Sequence, residues 1–120
     1  MARILIAEDD TSMRHFLAMA LQRAGHEVET CADGREALEA LESEQPYDLL
    51  VTDIIMPGLD GIELSDRAAV LRPKLKVMFI TGFAAVAKDQ RAAALSGPHV
   101  LSKPFHLKDL VDRVETLLAA

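Results

Sequence analysis

Four stretches of this chain end in side chains suited to phosphorus chemistry. Glu8-Asp9-Asp10 follow the apolar run that begins at Ile4, Asp53 closes Leu49-Leu50-Val51-Thr52, Thr81 closes Val77-Met78-Phe79-Ile80, and Lys103 follows Val100-Leu101-Ser102. Carboxylates from two neighbouring strand ends would make an all-oxygen, partly hydrated pocket, which suits Mg²⁺, an octahedral ion that keeps several waters. Grouping such carboxylates without a cation is costly through like-charge repulsion, so their convergence calls for a divalent ion or a lysine, and Lys103 supplies part of that charge. Asp53 on a rigid strand end could attack phosphorus as a carboxylate nucleophile and form an acyl phosphate. Lys103 would then neutralise the phosphoryl oxygens and Thr81 hydrogen-bond one of them.

Taken singly, each residue has an ordinary structural role. Asp9 and Asp10 can cap a helix, Asp53 can form the turn ahead of Pro57-Gly58, and Lys103 can be a solvated charge. The coincidence of suitable groups at four strand ends is what points to a site. Other chemistry finds less support. His15, His26, His99 and His106 show no HxxxH or HxH spacing and no cysteine partner, which argues against zinc and predicts surface positions. Cys31 lies in a predicted strand with no base near it in sequence, which reads as a structural thiol. The glycine patterns of nucleotide-binding loops are absent. The methionines fall singly and read as packing. Phe83, in the loop after Thr81-Gly82, reads either as a packed aromatic or as a partner contact beside the site, with contact the slightly favoured reading.

The elements that must position these groups can be read from periodicity. Residues 3–8 form a continuous apolar run ending in acid, as expected of a parallel strand covered on both faces. Met13, Phe16, Leu17, Ala20, Leu21 and Ala24 follow one helical face, with Asp10 or Thr11 to cap its start and Gly25 its end. A strand over 27–32 leads to Asp33 with Glu36 three residues on, a capping-box pattern for a helix presenting Ala37, Leu38 and Leu41. Strands over 49–53, 77–81 and 100–102 follow. A helix over 61–71 stops before Pro73, residues 84–95 give a short or mobile helix without a clean apolar face, and 107–118 give a last amphipathic helix. Five strand–helix units with right-handed crossovers build a doubly wound α/β sheet, whose ligands bind beyond the carboxyl ends of its strands.

Bulk properties agree with that picture. With 120 residues, half of them hydrophobic and 27% charged, the chain is expected to fold as one domain over 1–120. A net charge of −6 and a pI near 5.1, with lysine and arginine scattered, argue against nucleic acid as a partner. The lone Cys31 cannot form an internal disulfide, and the first apolar run is too short for a signal peptide or membrane insertion, so a cytoplasmic location is expected.

Together, Ile-Leu-Ile-Ala-Glu-Asp-Asp at 4–10, Thr-Asp-Ile-Ile-Met-Pro-Gly-Leu-Asp-Gly at 52–61 and Ser-Lys-Pro-Phe at 102–105 resemble the response-regulator receiver domains of two-component systems, over the whole chain. The resemblance implies a flavodoxin-like, five-stranded parallel sheet of order 2-1-3-4-5 with helices on both faces. It implies Asp53 as phosphoacceptor and Mg²⁺ held by Asp9, Asp53, the Ile55 backbone carbonyl and, through water, Glu8. Thr81 and Lys103 would contact the phosphoryl group, and the bond before Pro104 would be cis. The implied donor is a phosphohistidine on a histidine kinase or histidine phosphotransfer protein.

The resemblance departs from the family pattern at one position, and two positions that vary within the family bear on the lifetime of the modified state. Where many receivers carry a switch Tyr or Phe, this chain has Val100. Two after the aspartate and two after the threonine stand Ile55 and Phe83, neither able to orient an attacking water, which predicts slow self-hydrolysis. Phosphorylation adds about −1.5 to −2 charge, and the surface expected to respond includes Phe83, Phe105, His106 and the last helix. With no residues left for an output domain, signalling is expected through protein contact and not through an enzymatic activity. The wording of Phe-Ile-Thr-Gly-Phe-Ala-Ala-Val-Ala and Lys-Pro-Phe-His-Leu resembles members that act as adaptors for the ClpXP protease and its substrates in cell-cycle control. The rival expectations are a phosphorelay intermediate that passes the group onward, a pseudo-receiver, and an Mg²⁺-dependent aspartyl-phosphate phosphatase. Ile55 disfavours the last, which wants a second acid at that position.

Overall fold

The computed structural model describes residues 1–82, 85, 90–95 and 97–120. Its strands are β1 (Arg3–Ala7), β2 (Glu27–Cys31), β3 (Leu49–Asp53), β4 (Lys76–Thr81) and β5 (Val100–Ser102). The helices are α1 (Thr11–Arg23), α2 (Gly34–Glu42), α3 (Gly61–Leu71), α4 (Gln90–Ala94) and α5 (Leu107–Ala119). All pairings are parallel, in the order β2-β1-β3-β4-β5.

The apolar runs are continuous because the sheet is covered on both faces. Alternate residues Ile4, Ile6, Val51, Met78 and Ile80 pack with Leu17 and Leu21 of α1 and Leu110, Val114 and Leu117 of α5. The intervening Leu5, Ala7 and Leu50 pack with Ala37 and Leu41 of α2 and Leu64 and Ala68 of α3. Truncating a fully buried member such as Leu110 to alanine costs about 2–5 kcal/mol. β2, at one edge, faces solvent with Glu27 and Glu29, which pair with Arg3 at 3.3 and 3.7 Å. Charge on an exposed strand discourages edge-to-edge association.

Helix starts follow the acids. Asp10 accepts the Met13 N–H at 2.7 Å, Asp33 the Glu36 N–H at 2.9 Å, and Asp60 the Glu63 N–H at 2.8 Å. Of the segment expected to form a short or mobile helix, α4 occupies 90–94, while residues 84, 86–89 and 96 lie outside the described residues, as does Phe83.

At the rim where the strands begin, one expectation is corrected. His26 is not a surface residue: its side chain is 4% exposed, its Nδ1 accepts the Ala2 N–H at 3.1 Å, and its Nε2 meets Glu115 Oε1 at 3.0 Å. A lone histidine just outside a strand gives no periodic sign of burial, and here it fastens the N-terminus to α5. Met19, on α1, is likewise 44% exposed and not a core residue. Lys76 Nζ also binds α5, donating to the carbonyls of Leu117 and Ala120, a favourable place for a cation because that helix end carries negative dipole.

Candidate functional site

Because every strand runs the same way, Glu8, Asp53, Thr81 and Lys103 arrive at one rim. Carboxylate oxygens of Glu8, Asp9 and Asp53 lie within 4.8 Å of one another. The three acids after β1 divide their tasks. Asp10 is the N-cap of α1, Asp9 is exposed, and Glu8 is only 1% exposed.

Glu8 Oε2 accepts the Asp10 N–H at 3.1 Å, while its buried Oε1 has no hydrogen-bond partner among the described residues. Burial pushes the Glu8 carboxyl up to about 7, and the nearby Asp53 charge adds to the shift, against the pull of the Asp10 N–H and Lys103. A buried carboxylate with an unused oxygen, beside two further carboxylates, fits the demand of a hard divalent cation for oxygen ligands.

Asp53 Oδ1 accepts the Ile54 N–H at 2.8 Å, which fixes the carboxylate, and its Oδ2 lies 3.3 Å from Lys103 Nζ. Lys103 Nζ also stands 4.0 Å from Glu8 Oε1. The Thr81 hydroxyl is buried without a hydrogen-bond partner among the described residues, an uncommon condition for a group that can both donate and accept. The Ile55 side chain is 38% exposed, and the Lys103–Pro104 peptide bond is cis.

Sequence reasoning missed three supports. Arg14 Nη1 donates to the Glu8 carbonyl at 2.9 Å, tying α1 to the end of β1. A Cβ at Gly61 would lie 2.0 Å from the Asp53 carbonyl oxygen, so only glycine allows α3 to start against the strand end. Asp60, besides capping α3, is gripped by Arg91. Only Gly61 carried a readable sign, in its place after the Pro57-Gly58 turn.

Beside Lys103 runs an apolar groove of about 510 Å³ formed by Met13, Phe16, Pro104 and Phe105, in which the Phe16 and Phe105 rings stand 6.3 Å apart. Phe105 is half-buried and His106 exposed. A larger cavity of about 800 Å³, lined by Met1, His26, Tyr47, Arg72 and Glu115, opens at the opposite rim and takes no part in this cluster. Cys31 is buried, and burial pushes its thiol up to about 12, as an inert structural thiol requires. No helix among the described residues is long and apolar enough to cross a membrane.

Comparison with known proteins agrees with the geometry. The family described as response regulator receiver domain matches residues 4–115. The chain is 54% identical over 120 residues to the response regulator receiver protein CpdR of Brucella abortus, covering 100% of this chain and 99% of that protein. It is 40% identical to the transcriptional regulatory protein TcrA of Mycobacterium tuberculosis, covering 96% of this chain and 45% of that protein. A crystal structure of a response regulator receiver protein from Sinorhizobium medicae superimposes with a TM-score of 0.87 at 29% identity, covering 99% of this chain and 95% of that one.

Proposed function

Because the chain belongs to the response regulator receiver domain family of two-component signalling, we propose that it is a switch set by a phosphoryl group on Asp53. The donor is a phosphohistidine on a histidine kinase or histidine phosphotransfer protein. An Asp53 carboxylate oxygen attacks phosphorus, the N–P bond breaks, and the imidazole leaves with the electron pair and takes up a proton. The Ile54 N–H holds the attacking carboxylate in place, Lys103 balances charge on the phosphoryl oxygens, and the Thr81 hydroxyl, without a hydrogen-bond partner among the described residues, donates to one of them. Mg²⁺ would be held by Asp9, Asp53, the Ile55 carbonyl and, through water, Glu8, and supplies charge neutralisation at the transferring group.

One observation carries this reading: three carboxylates within 4.8 Å of one another, with Lys103 Nζ 3.3 Å from Asp53. Incubation with a small-molecule phosphodonor and Mg²⁺ should add one phosphoryl mass that is lost in hydroxylamine. The gain should vanish in EDTA and in Asp53→Ala. Equal labelling of Asp53→Ala would overturn the assignment.

For the output, the proposed role is that of a cytoplasmic adaptor controlling ClpXP proteolysis in the cell cycle. The likeness to CpdR over nearly the whole of both chains supports it. The proposed contact surface comprises Phe83, Phe105 and His106. Recovery of protease subunits from lysate by the native chain should depend on phosphodonor and on Asp53. Recovery in neither state would remove the adaptor role and leave the phosphorylation chemistry standing.

A further inference from the structure

α2 and α3 lie side by side and run the same way. Near their starts, a Cβ on Gly34 would lie 2.2 Å from the Leu59 carbonyl oxygen. At their ends, Arg72 donates to the Leu41 carbonyl at 3.0 Å and to the Ser43 carbonyl at 2.7 Å. The two helices are thus tied at both ends.

Their outer surface carries a groove of about 490 Å³, lined by Leu38 and Glu42 of α2 and by Asp66, Arg67, Val70 and Leu71 of α3. Residues one turn apart share a helix face, so Leu38 and Glu42 form one row, Asp66 and Val70 a second, Arg67 and Leu71 a third. Because the helix ends are level, Leu38 stands at the height of Asp66 and Arg67, and Glu42 at the height of Val70 and Leu71. The corners of the face alternate between apolar and charged.

Val70 is 81% exposed, more than any other large hydrophobic side chain among the described residues except Met1, and Leu71 is 44% exposed. Valine favours a helix less than alanine does, so helix formation does not account for it there. Glu42, Asp66 and Arg67 make no side-chain hydrogen bond or ion pair among the described residues. The face therefore offers apolar surface and charges of both signs that the chain itself leaves unanswered.

We propose that this face joins two copies of the chain in a two-fold symmetric dimer. Charge complementarity selects the occupant. A two-fold axis laid along the apolar diagonal sets Leu38 against Leu38 of the second copy and Val70 against Val70, and it carries each Glu42 to Arg67 of the other copy. Apolar corners cover apolar corners and the opposite charges meet twice, as a self-complementary surface requires. A wholly acidic or wholly basic partner would leave one charged corner facing its own sign. Asp66 shares the Arg67 corner and opposes Glu42 of the second copy, and each chain carries a net charge of −6, so the association is weak. A patch of this size supports a dissociation constant of roughly 0.1–1 mM. The face takes no part in the acidic cluster, so the inference stands apart from the function proposed above.

Sedimentation velocity of the full chain from about 10 µM to 1 mM provides the test. The native chain should pass reversibly from monomer to dimer across that range. Val70→Glu should weaken the dimer roughly tenfold, and Arg67→Glu roughly three- to tenfold. Arg67→Glu combined with Glu42→Arg restores opposite charges across the two-fold axis and should bring the affinity back to within about threefold of native. All three positions are exposed, so the variants should melt with the native chain. A chain that sediments as a monomer throughout would overturn the proposal, whatever other partner the face receives. A dimer that Val70→Glu leaves intact, or a charge swap that fails to restore association, would overturn it as well.

Discussion

Lys103 Nζ stands 3.3 Å from Asp53 Oδ2 and 4.0 Å from Glu8 Oε1, so one ammonium group from the β5–α5 connection serves carboxylates from β1 and β3. Lys103→Met leaves those carboxylates facing one another without a cation. Because Lys103 is about one-third exposed, the loss should be about 1–2 kcal/mol, or roughly 5 °C in melting temperature, in EDTA. Saturating Mg²⁺ should recover most of it. Thermal melts of both proteins with and without the ion check this, and a variant that melts with the native chain in EDTA would refute it.

The Glu8 carboxyl makes metal-free stability depend on pH. Its value is about 7 in the folded chain against an ordinary 4.5, so between these limits the folded protein holds a proton that the unfolded chain has released. Stability therefore falls as pH rises from about 4.5 to 7, by roughly 3 kcal/mol in all for this group. Urea unfolding in EDTA at pH 5 and pH 8 should show that loss in the native chain and a smaller one in Glu8→Gln. Bound Mg²⁺ favours the ionised form and should reverse it. Parallel pH profiles for the two proteins would contradict this account of Glu8.

Gly61→Ala should be among the most damaging single-methyl additions. The new Cβ would meet backbone, the Asp53 carbonyl oxygen at 2.0 Å, and backbone cannot swing aside as a flexible side chain can. A cost of about 3 kcal/mol is expected, with a matching fall in the urea midpoint. Phosphorylation of the folded fraction should slow as well, because the proposed nucleophile, Asp53, is displaced.

An acyl phosphate on Asp53 should decay slowly. Ile55, exposed at 38% and two residues after Asp53, carries no group that can orient an attacking water. Ile55→Asn combined with Phe83→Glu should speed hydrolysis about tenfold, below the 10²–10⁴ that a full general base provides. Loss of the phosphoryl mass over time measures it, and equal decay rates would dispose of the idea.

Much of the fold was legible because its signals are local. Residues 49–53 and 61–71 came out with the observed bounds, since a continuous apolar run marks a doubly covered strand and Pro73 stops a helix. Asp10 and Asp33 announced their helices, although only the structure assigns the cap to Asp10 over Thr11. The converging acids were visible because each closes a patterned run. Long-range single contacts were not: His26 reaches Glu115 across 89 positions and Asp60 reaches Arg91 across 31, and periodicity reports which face a residue occupies without naming its distant partner. α4 was obscure because the sequence over 84–95 carries no clean apolar period.

Strands that all point one way give the molecule two unlike ends. The carboxylate rim is built from groups that repel one another, whereas the opposite rim, with His26 against Glu115 and Lys76 on the last carbonyls of α5, is built from attachments. Inherited change can therefore act on the two ends separately. Lesions at the attachment end should yield temperature-sensitive alleles whose product vanishes on warming, while neutral replacements of the carboxylates at the acidic end should yield abundant protein that no longer listens.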